Sequence, residues 1–269
     1  MSLRLTVLGG ASGGIPLGSG ILLETAEGRR LVDCGNGIVG ALVALEARRR
    51  ADAPGASAIE VTRSALDVVD VLLTHLHADH VQDLYPLALY RRYARRQLPV
   101  LGPPGTRALL ERWFPLFSAN AEEMLDALRV YEVAPGEALA GAGLELRPFA
   151  VEHNTPAAYG YVVHETGSDR HVVLSGDTRP CAALEAAAKG ADLLVCEATF
   201  AGLGGEGARA HHTTAAAAGA LARRAGVRRL VLTHLLMTTD VEQARREAES
   251  TFGAAVDVAR PGDVWEVPR

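Results

Sequence analysis

The run Thr74-His75-Leu76-His77-Ala78-Asp79-His80 constrains this chain more than any other stretch. It follows Val68-Val69-Asp70-Val71-Leu72-Leu73, a largely apolar, β-branched run of strand length. Where that buried strand should end, four side chains able to bind a metal fall within six positions. On an extended strand exit alternate residues face the same way, so His75 and His77 can grip one ion together. Asp79 and His80 then open the next segment, turned to offer ligands to a second ion. Neutral imidazole and carboxylate suit zinc best, with manganese or iron as alternatives. The competing reading, a histidine-rich surface turn, does not account for the strand that leads into the motif.

Length and composition set the frame. A chain of 269 residues falls within the range of one large α/β domain, read here as a single unit over 1–269. Hydrophobic residues at 48% and charged residues at 22% are those of a packed globular protein, which excludes a disordered chain. The formal net charge of −5 gives no whole-protein field toward nucleic acid or an anionic membrane. No run approaches the ~20 apolar residues of a membrane span, so no membrane partner is expected. Met1-Ser2-Leu3-Arg4-Leu5 enters a strand with no signal-peptide core, and the expected location is the cytoplasm. Cys34, Cys181 and Cys196 are scattered and odd in number, which argues against a disulfide framework. Cys181 reads as a small residue in a helix's first turn rather than as a thiolate ligand.

Alternating or fully apolar patterns predict strands at 3–8, 20–24, 30–33, 68–73, 98–102, 128–133, 144–151, 159–164, 171–175, 192–196, 229–233 and 263–267. Helices are expected near 38–50, 84–96, 106–117, 179–189, 213–225 and 241–252. A strand-rich half holding the first motif gives way near residue 140 to a similar half, the pattern of two packed sheets with outer helices. Residues 51–66 read as a surface insertion. Gly9-Gly10-Ala11-Ser12-Gly13-Gly14 lacks nucleotide-binding spacing and reads as a tight loop near the site.

Further candidates stand at strand ends: His153 after 144–151, Asp177 after Val172-Val173-Leu174, and His234 after Leu230-Val231-Leu232-Thr233. Leu31-Val32-Asp33-Cys34-Gly35 adds an Asp-x-Gly strand end. In this order the motifs resemble those of the metallo-β-lactamase superfamily over nearly the whole chain. That resemblance implies a four-layer αββα sandwich of class α/β, two mixed β-sheets flanked by helices. It also implies a hydrolase with two divalent metal ions, zinc foremost. His75, His77 and His153 would hold one ion and Asp79, His80 and His234 the other. Asp177 would bridge them, and Asp33 would support the metal loops from behind.

Within the superfamily the chain most resembles ribonuclease Z, the tRNA 3′-endonuclease, and its shorter phosphodiesterase-like relatives. Cys196-Glu197-Ala198-Thr199-Phe200 is similar to that family's His-Glu-Ala-Thr segment, with cysteine in place of histidine. His212-Thr213-Thr214-Ala215 is similar to its His-Ser-Thr segment. By this resemblance Glu197 and His212 form a pair that helps protonate the leaving oxygen, and Asp79 accepts a proton from the nucleophile. A bland reading makes Glu197 a supporting carboxylate and His212 the neighbour of a helix cap, with Thr213 or Thr214 capping. His211, His164 and His171 match no motif, and the last two read as surface residues at the ends of a hairpin.

The departures bear on substrate. Of the family's Pro-x-Lys-x-Arg-Asn loop only Pro16 remains. Only residues 154–176 separate His153 from Asp177, room for a hairpin and not for the tRNA-binding arm of bacterial ribonuclease Z. Arg91/Arg95 and Arg92/Arg96, spaced i,i+4, could form a basic helical stripe for phosphates, or simply a solvated face. The leading expectation is a phosphodiesterase acting on an RNA 3′ end or a small cyclic nucleotide. Hydrolysis of an ester, thioester, lactone or β-lactam is one alternative, and a non-catalytic metal-binding scaffold another. The resemblance also allows a homodimer.

Overall fold

The computed structural model describes residues 2–14, 17–51, 55–202 and 210–267. Pro16 lies outside them. The first half lays down β1 (Leu3–Gly9), β2 (Ala11–Ser12), β3 (Gly20–Thr25), β4 (Gly28–Val32), α1 (Ile38–Arg49), α2 (Ala58–Ala65) and β5 (Asp70–Leu72). It continues with α3 (Ala78–Val81), α4 (Leu84–Tyr93), β6 (Leu98–Gly102), α5 (Thr106–Trp113), α6 (Ala121–Asp126) and β7 (Leu128–Glu132). The second half comprises β8 (Leu139–Gly141), β9 (Leu144–Ala150), β10 (Tyr159–Glu165), β11 (His171–Leu174), α7 (Ala182–Ala187) and β12 (Leu193–Glu197). After it come α8 (Ala215–Ala225), β13 (Leu230–Thr233), β14 (Leu235–Leu236), α9 (Val241–Phe252), β15 (Val256–Val258) and β16 (Val264–Val267).

Among the described residues these strands form two seven-stranded mixed sheets, in the orders β16-β1-β3-β4-β5-β6-β7 and β15-β13-β12-β11-β10-β9-β8. The change of sheet falls near residue 140, as the sequence predicts. β16 is the exception, returning to pair antiparallel with β1 through Leu3↔Val267. Three apolar clusters separate the layers. Leu3, Leu5, Leu23 and Leu72 of the first sheet meet Leu146, Tyr161, Val172 and Val195 of the second between the sheets. Leu42, Leu84, Leu87 and Phe114 pack helices on the outside of the first sheet. Leu184, Leu221, Ala244 and Phe252 do so on the second. This is the αββα sandwich.

The topology gathers the motifs at one edge. β4, β5 and β6 run parallel, so their carboxyl ends leave the first sheet on the same side. β11, β12 and β13 are parallel too, and β9 shares their direction through two antiparallel pairings with β10. The chain therefore leaves β4, β5, β9, β11, β12 and β13 with Asp33, His75, His153, Asp177, Glu197 and His234 all toward that edge.

Several expectations need correction. Residues 51–66 are not a featureless insertion: α2 occupies Ala58–Ala65, opened by a capping box in which Ser57 and Glu60 satisfy each other's backbone N–H groups. The basic stripe does not exist as a helix face. α4 ends at Tyr93, and Arg95 adopts a left-handed φ of 52°. Arg91 is buried and donates to the carbonyls of Leu66 and Val68 at 2.9 and 2.7 Å. Arg92 and Arg96 are ion-paired to Glu123 and Asp67. The helix at 106–117 turns 3-10 at Phe114, where Pro115 removes a backbone donor. His164 and His171 are half-buried cross-strand partners on β10 and β11, their rings 5.5 Å apart.

Candidate metal centre

His75, His77, Asp79, His80, His153, Asp177 and His234 converge on one small volume. His75 Nε2 lies 3.0 Å from His77 Nδ1, and His153 Nε2 lies 3.3 Å from the same atom. On the other side His234 Nε2 stands 3.7 Å from Asp79 Oδ2, and His80 Nε2 4.0 Å from it. Asp177 Oδ2 sits between the two groups. It is 3.8 Å from His75 Nε2 and 3.9 Å from His153 Nε2, and 3.4 Å from His80 Nε2 and 3.2 Å from His234 Nε2. Two of the donor sets compact enough for a metal are His75/His77/His153 and Asp79/His80/His234.

The surrounding groups fix how each ring is presented. The Thr74 N–H and hydroxyl both donate to Asp33, and His80 Nδ1–H donates to Asp33 Oδ2 at 2.8 Å. His75 Nδ1 lies 3.1 Å from the Thr74 hydroxyl. The Thr199 hydroxyl donates to Glu197 Oε2 at 2.8 Å, so its oxygen accepts from His234 Nδ1–H at 3.1 Å. His153 Nδ1–H donates to the His211 carbonyl at 2.9 Å, so His211 enters the site through its backbone. These contacts commit the Nδ1 atoms and aim the Nε2 atoms of His75, His80, His153 and His234 inward. The sequence gives no sign that the side chains of Thr74 and Thr199 belong to the site beyond their place inside the 74–80 and 196–200 runs. Asp33 and His234 also hold left-handed φ values of 61° and 58°, local strain of the kind that collects at working sites.

Charge follows from the same neighbours. Burial pushes His75 well below the usual histidine range, and brings His153 down to about 4. Burial also opposes a charged His80, but Asp177 and Asp33 outweigh it and hold that ring well above the usual range. For Asp79 burial disfavours the anion, yet His234 and His80 draw the carboxyl down to about 2. Asp177 likewise stays anionic against its burial, through His234 and His80.

The donor set fits a divalent cation. Among the described residues His80 Nε2 and His234 Nε2 are buried with no hydrogen-bond partner, and their approach to Asp177 lacks hydrogen-bond geometry. A buried polar atom left in this way costs about 1–3 kcal/mol, which a shared cation would relieve. Beside the cluster, His212 Nδ1–H donates to Glu197 Oε1 at 2.9 Å. The His212 ring stacks on His234 at 5.6 Å and stands edge-on to His153 at 4.9 Å. It is close enough to His153 and Asp177 to count as a further donor. Cys181 occupies the position before α7, and all three cysteines are free.

Two mixed sheets between helices, with histidines and aspartates at their shared carboxyl edge, define a metallo-β-lactamase fold. The β-lactamase superfamily domain matches residues 29–235, and the chain belongs to that superfamily. It is 32% identical to an uncharacterized protein of Mycobacterium leprae, over 99% of this chain and 89% of that one. It is 29% identical to the ribonuclease Z of Myxococcus xanthus, over 99% of this chain and 98% of the other. Among solved structures the metallo-beta-lactamase fold protein YhfI from Bacillus subtilis superposes with a TM-score of 0.79. It is 24% identical and covers 99% of this chain and 100% of its own, a likeness of fold alone. The chain is thus a superfamily hydrolase close to ribonuclease Z, with a donor cluster suited to divalent metal.

Proposed function

We propose that this protein is a phosphodiesterase that works with two divalent ions, zinc foremost, on a small diester such as a cyclic nucleotide. His75, His77 and His153 would hold one ion, Asp79, His80 and His234 the other, with Asp177 between them. Such ions lower the pKa of water and take up charge that develops on a phosphodiester. The observation that carries the phosphodiester reading is the His212–Glu197 pair at the rim of the cluster, with the same order as in ribonuclease Z. Burial opposes a charged His212, but the hydrogen bond to Glu197 raises its pKa above the usual value. A ring kept protonated beside the reacting centre can hand its proton to the departing oxygen. Asp79, anionic across the working pH range, would accept a hydrogen bond from the attacking water and orient it.

A small substrate is favoured over tRNA because residues between His153 and Asp177 form only the β10–β11 hairpin, and because Arg91, Arg92 and Arg96 are engaged by Leu66 and Val68, Glu123 and Asp67. The test is a substrate panel on protein of measured metal content: a chromogenic diester, a cyclic nucleotide, precursor tRNA, a thioester, a lactone and a β-lactam. Turnover of the small diesters is expected. Rapid thioester or lactone hydrolysis with the diesters untouched would overturn the assignment.

A further inference from the structure

The glycine-rich segment after β1 touches the second donor group from two sides, and among the described residues none of its hydrogen bonds reaches the first. The Gly13 N–H donates to Asp79 Oδ2 at 3.0 Å. Two residues earlier, Ala11 and Ser12 pair in parallel with Leu235 and Leu236, the residues directly after His234. The segment is itself pinned. Asn36 donates its side-chain amide to the Gly14 carbonyl at 2.6 Å, Gly14 N–H closes back on Ala11 O at 2.9 Å, and Ala11 N–H reaches Leu17 O at 3.2 Å. Ser19, where the chain re-enters β3, donates its N–H to the Asp79 carbonyl at 2.7 Å.

Gly13 and Gly14 both have φ near +73°, a conformation other L-residues seldom adopt. A side chain at Gly13 would meet nothing within 4 Å, so glycine is needed there for its backbone rather than for space. The turn aims one N–H at a carboxylate oxygen that also faces His234 and His80.

We infer that the Gly10–Gly14 loop is a positioning element for the second metal: it fixes the Asp79 carboxylate against His234 and so sets the affinity of the Asp79/His80/His234 group alone. This rests on the two-ion reading above. A hydrogen-bonded partner of a ligand typically governs metal affinity by about 10–100-fold. Among the described residues no hydrogen bond joins the loop to the first group, His75/His77/His153, which keeps its affinity.

Zinc titration against a chromogenic chelator reads both binding steps without reference to activity. His77→Ala marks the step belonging to the first group. Gly13→Val, β-branched and ill-suited to the left-handed region, is expected to weaken the other step about 10–100-fold. Gly13→Asn, which tolerates that region, should retain near-wild-type affinity. Asn36→Ala removes the clip on Gly14 without changing the backbone of the turn and should weaken the same step in the same direction. Thermal melts in chelator establish that each variant folds. Two steps that weaken together, or a second step unmoved by Gly13→Val and Asn36→Ala in folded protein, would overturn the loop's role. A wild-type protein that binds a single ion defeats the two-ion reading, and the loop's role with it.

Discussion

Two threonine hydroxyls decide which nitrogen the buried imidazoles present. Thr74 and Thr199 each spend their proton on a carboxylate, Asp33 and Glu197, and must then accept from histidine Nδ1 atoms. That choice of tautomer leaves lone pairs pointing inward, and it predicts which substitutions matter. His153→Ala or His234→Ala should lose metal and turnover together, read by elemental analysis and assay. His164→Ala should change neither, because its ring faces His171 across a hairpin. Metal lost from the His164 variant and kept by the His153 variant would reverse the assignment. The raised pKa of His80 has its own consequence. Asp177 and Asp33 favour the protonated ring in the metal-free protein, and coordination through Nε2 requires that proton to leave. Zinc affinity should therefore rise with pH, with about one proton released per ion at that group. Calorimetry in buffers of differing ionisation enthalpy measures it, and equal heats in all buffers would contradict it. His212→Ala should keep its metal yet slow unactivated diesters by about 10²–10⁴-fold. The loss should shrink for an aryl leaving group that departs without a proton; equal losses on both would remove His212 as the acid.

At the scale of elements, a buried ion pair ties the two sheets. Arg30 on β4 is fully buried and donates to both oxygens of Asp70 on β5, at 2.9 and 2.7 Å. Its remaining fork reaches the Leu139 carbonyl of β8, in the other sheet, at 2.6 Å. Arg30→Met leaves Asp70 as an uncompensated buried charge and should cost about 3–5 kcal/mol in urea unfolding. Adding Asp70→Leu should recover most of that loss, whereas a single variant within 1 kcal/mol of wild type would make the pair dispensable. Nothing in the sequence marks Arg30 as buried, since it stands beside Arg29 in a charged pair that precedes Leu31 and Val32. The long strands were legible because their apolar pattern runs for several residues, and α8 and α9 because they are rich in Ala, Arg and Glu, good helix formers. Three-residue β8 and β15 are too short to carry a period, and were missed. α2 was legible in principle, since Ser57-x-x-Glu60 is a capping box, but residues 51–66 carry no clear apolar pattern to support it. His75, His153, Asp177 and His234 were legible because each follows a strand, and His77, Asp79 and His80 because they crowd the same turn; the pairings that bring the seven together were not readable.

For the whole molecule, the cluster draws His75 and His80 from one sheet and His153, Asp177 and His234 from the other. Metal held there would act as a staple across the sandwich. Chelation should lower the melting temperature, and excess zinc should restore it. At a hundredfold excess over the dissociation constant the linkage is about 2.7 kcal/mol. A melting temperature indifferent to chelator, in protein shown to have lost its ions, would mean that the sheets hold together without them.

The return of β16 to β1 governs the order in which the molecule can be assembled. During synthesis β1, made first, keeps an open hydrogen-bonding edge until Val264–Val267 emerge to cover it. The strands of the second sheet lie between the two in sequence, so the first sheet cannot be complete until after they have been translated. Closing so long a loop delays that final pairing, and in the interval the uncovered edge is a template for wrong partners. Weakening β16 should therefore lower the yield of folded protein more than it lowers the stability of what has folded.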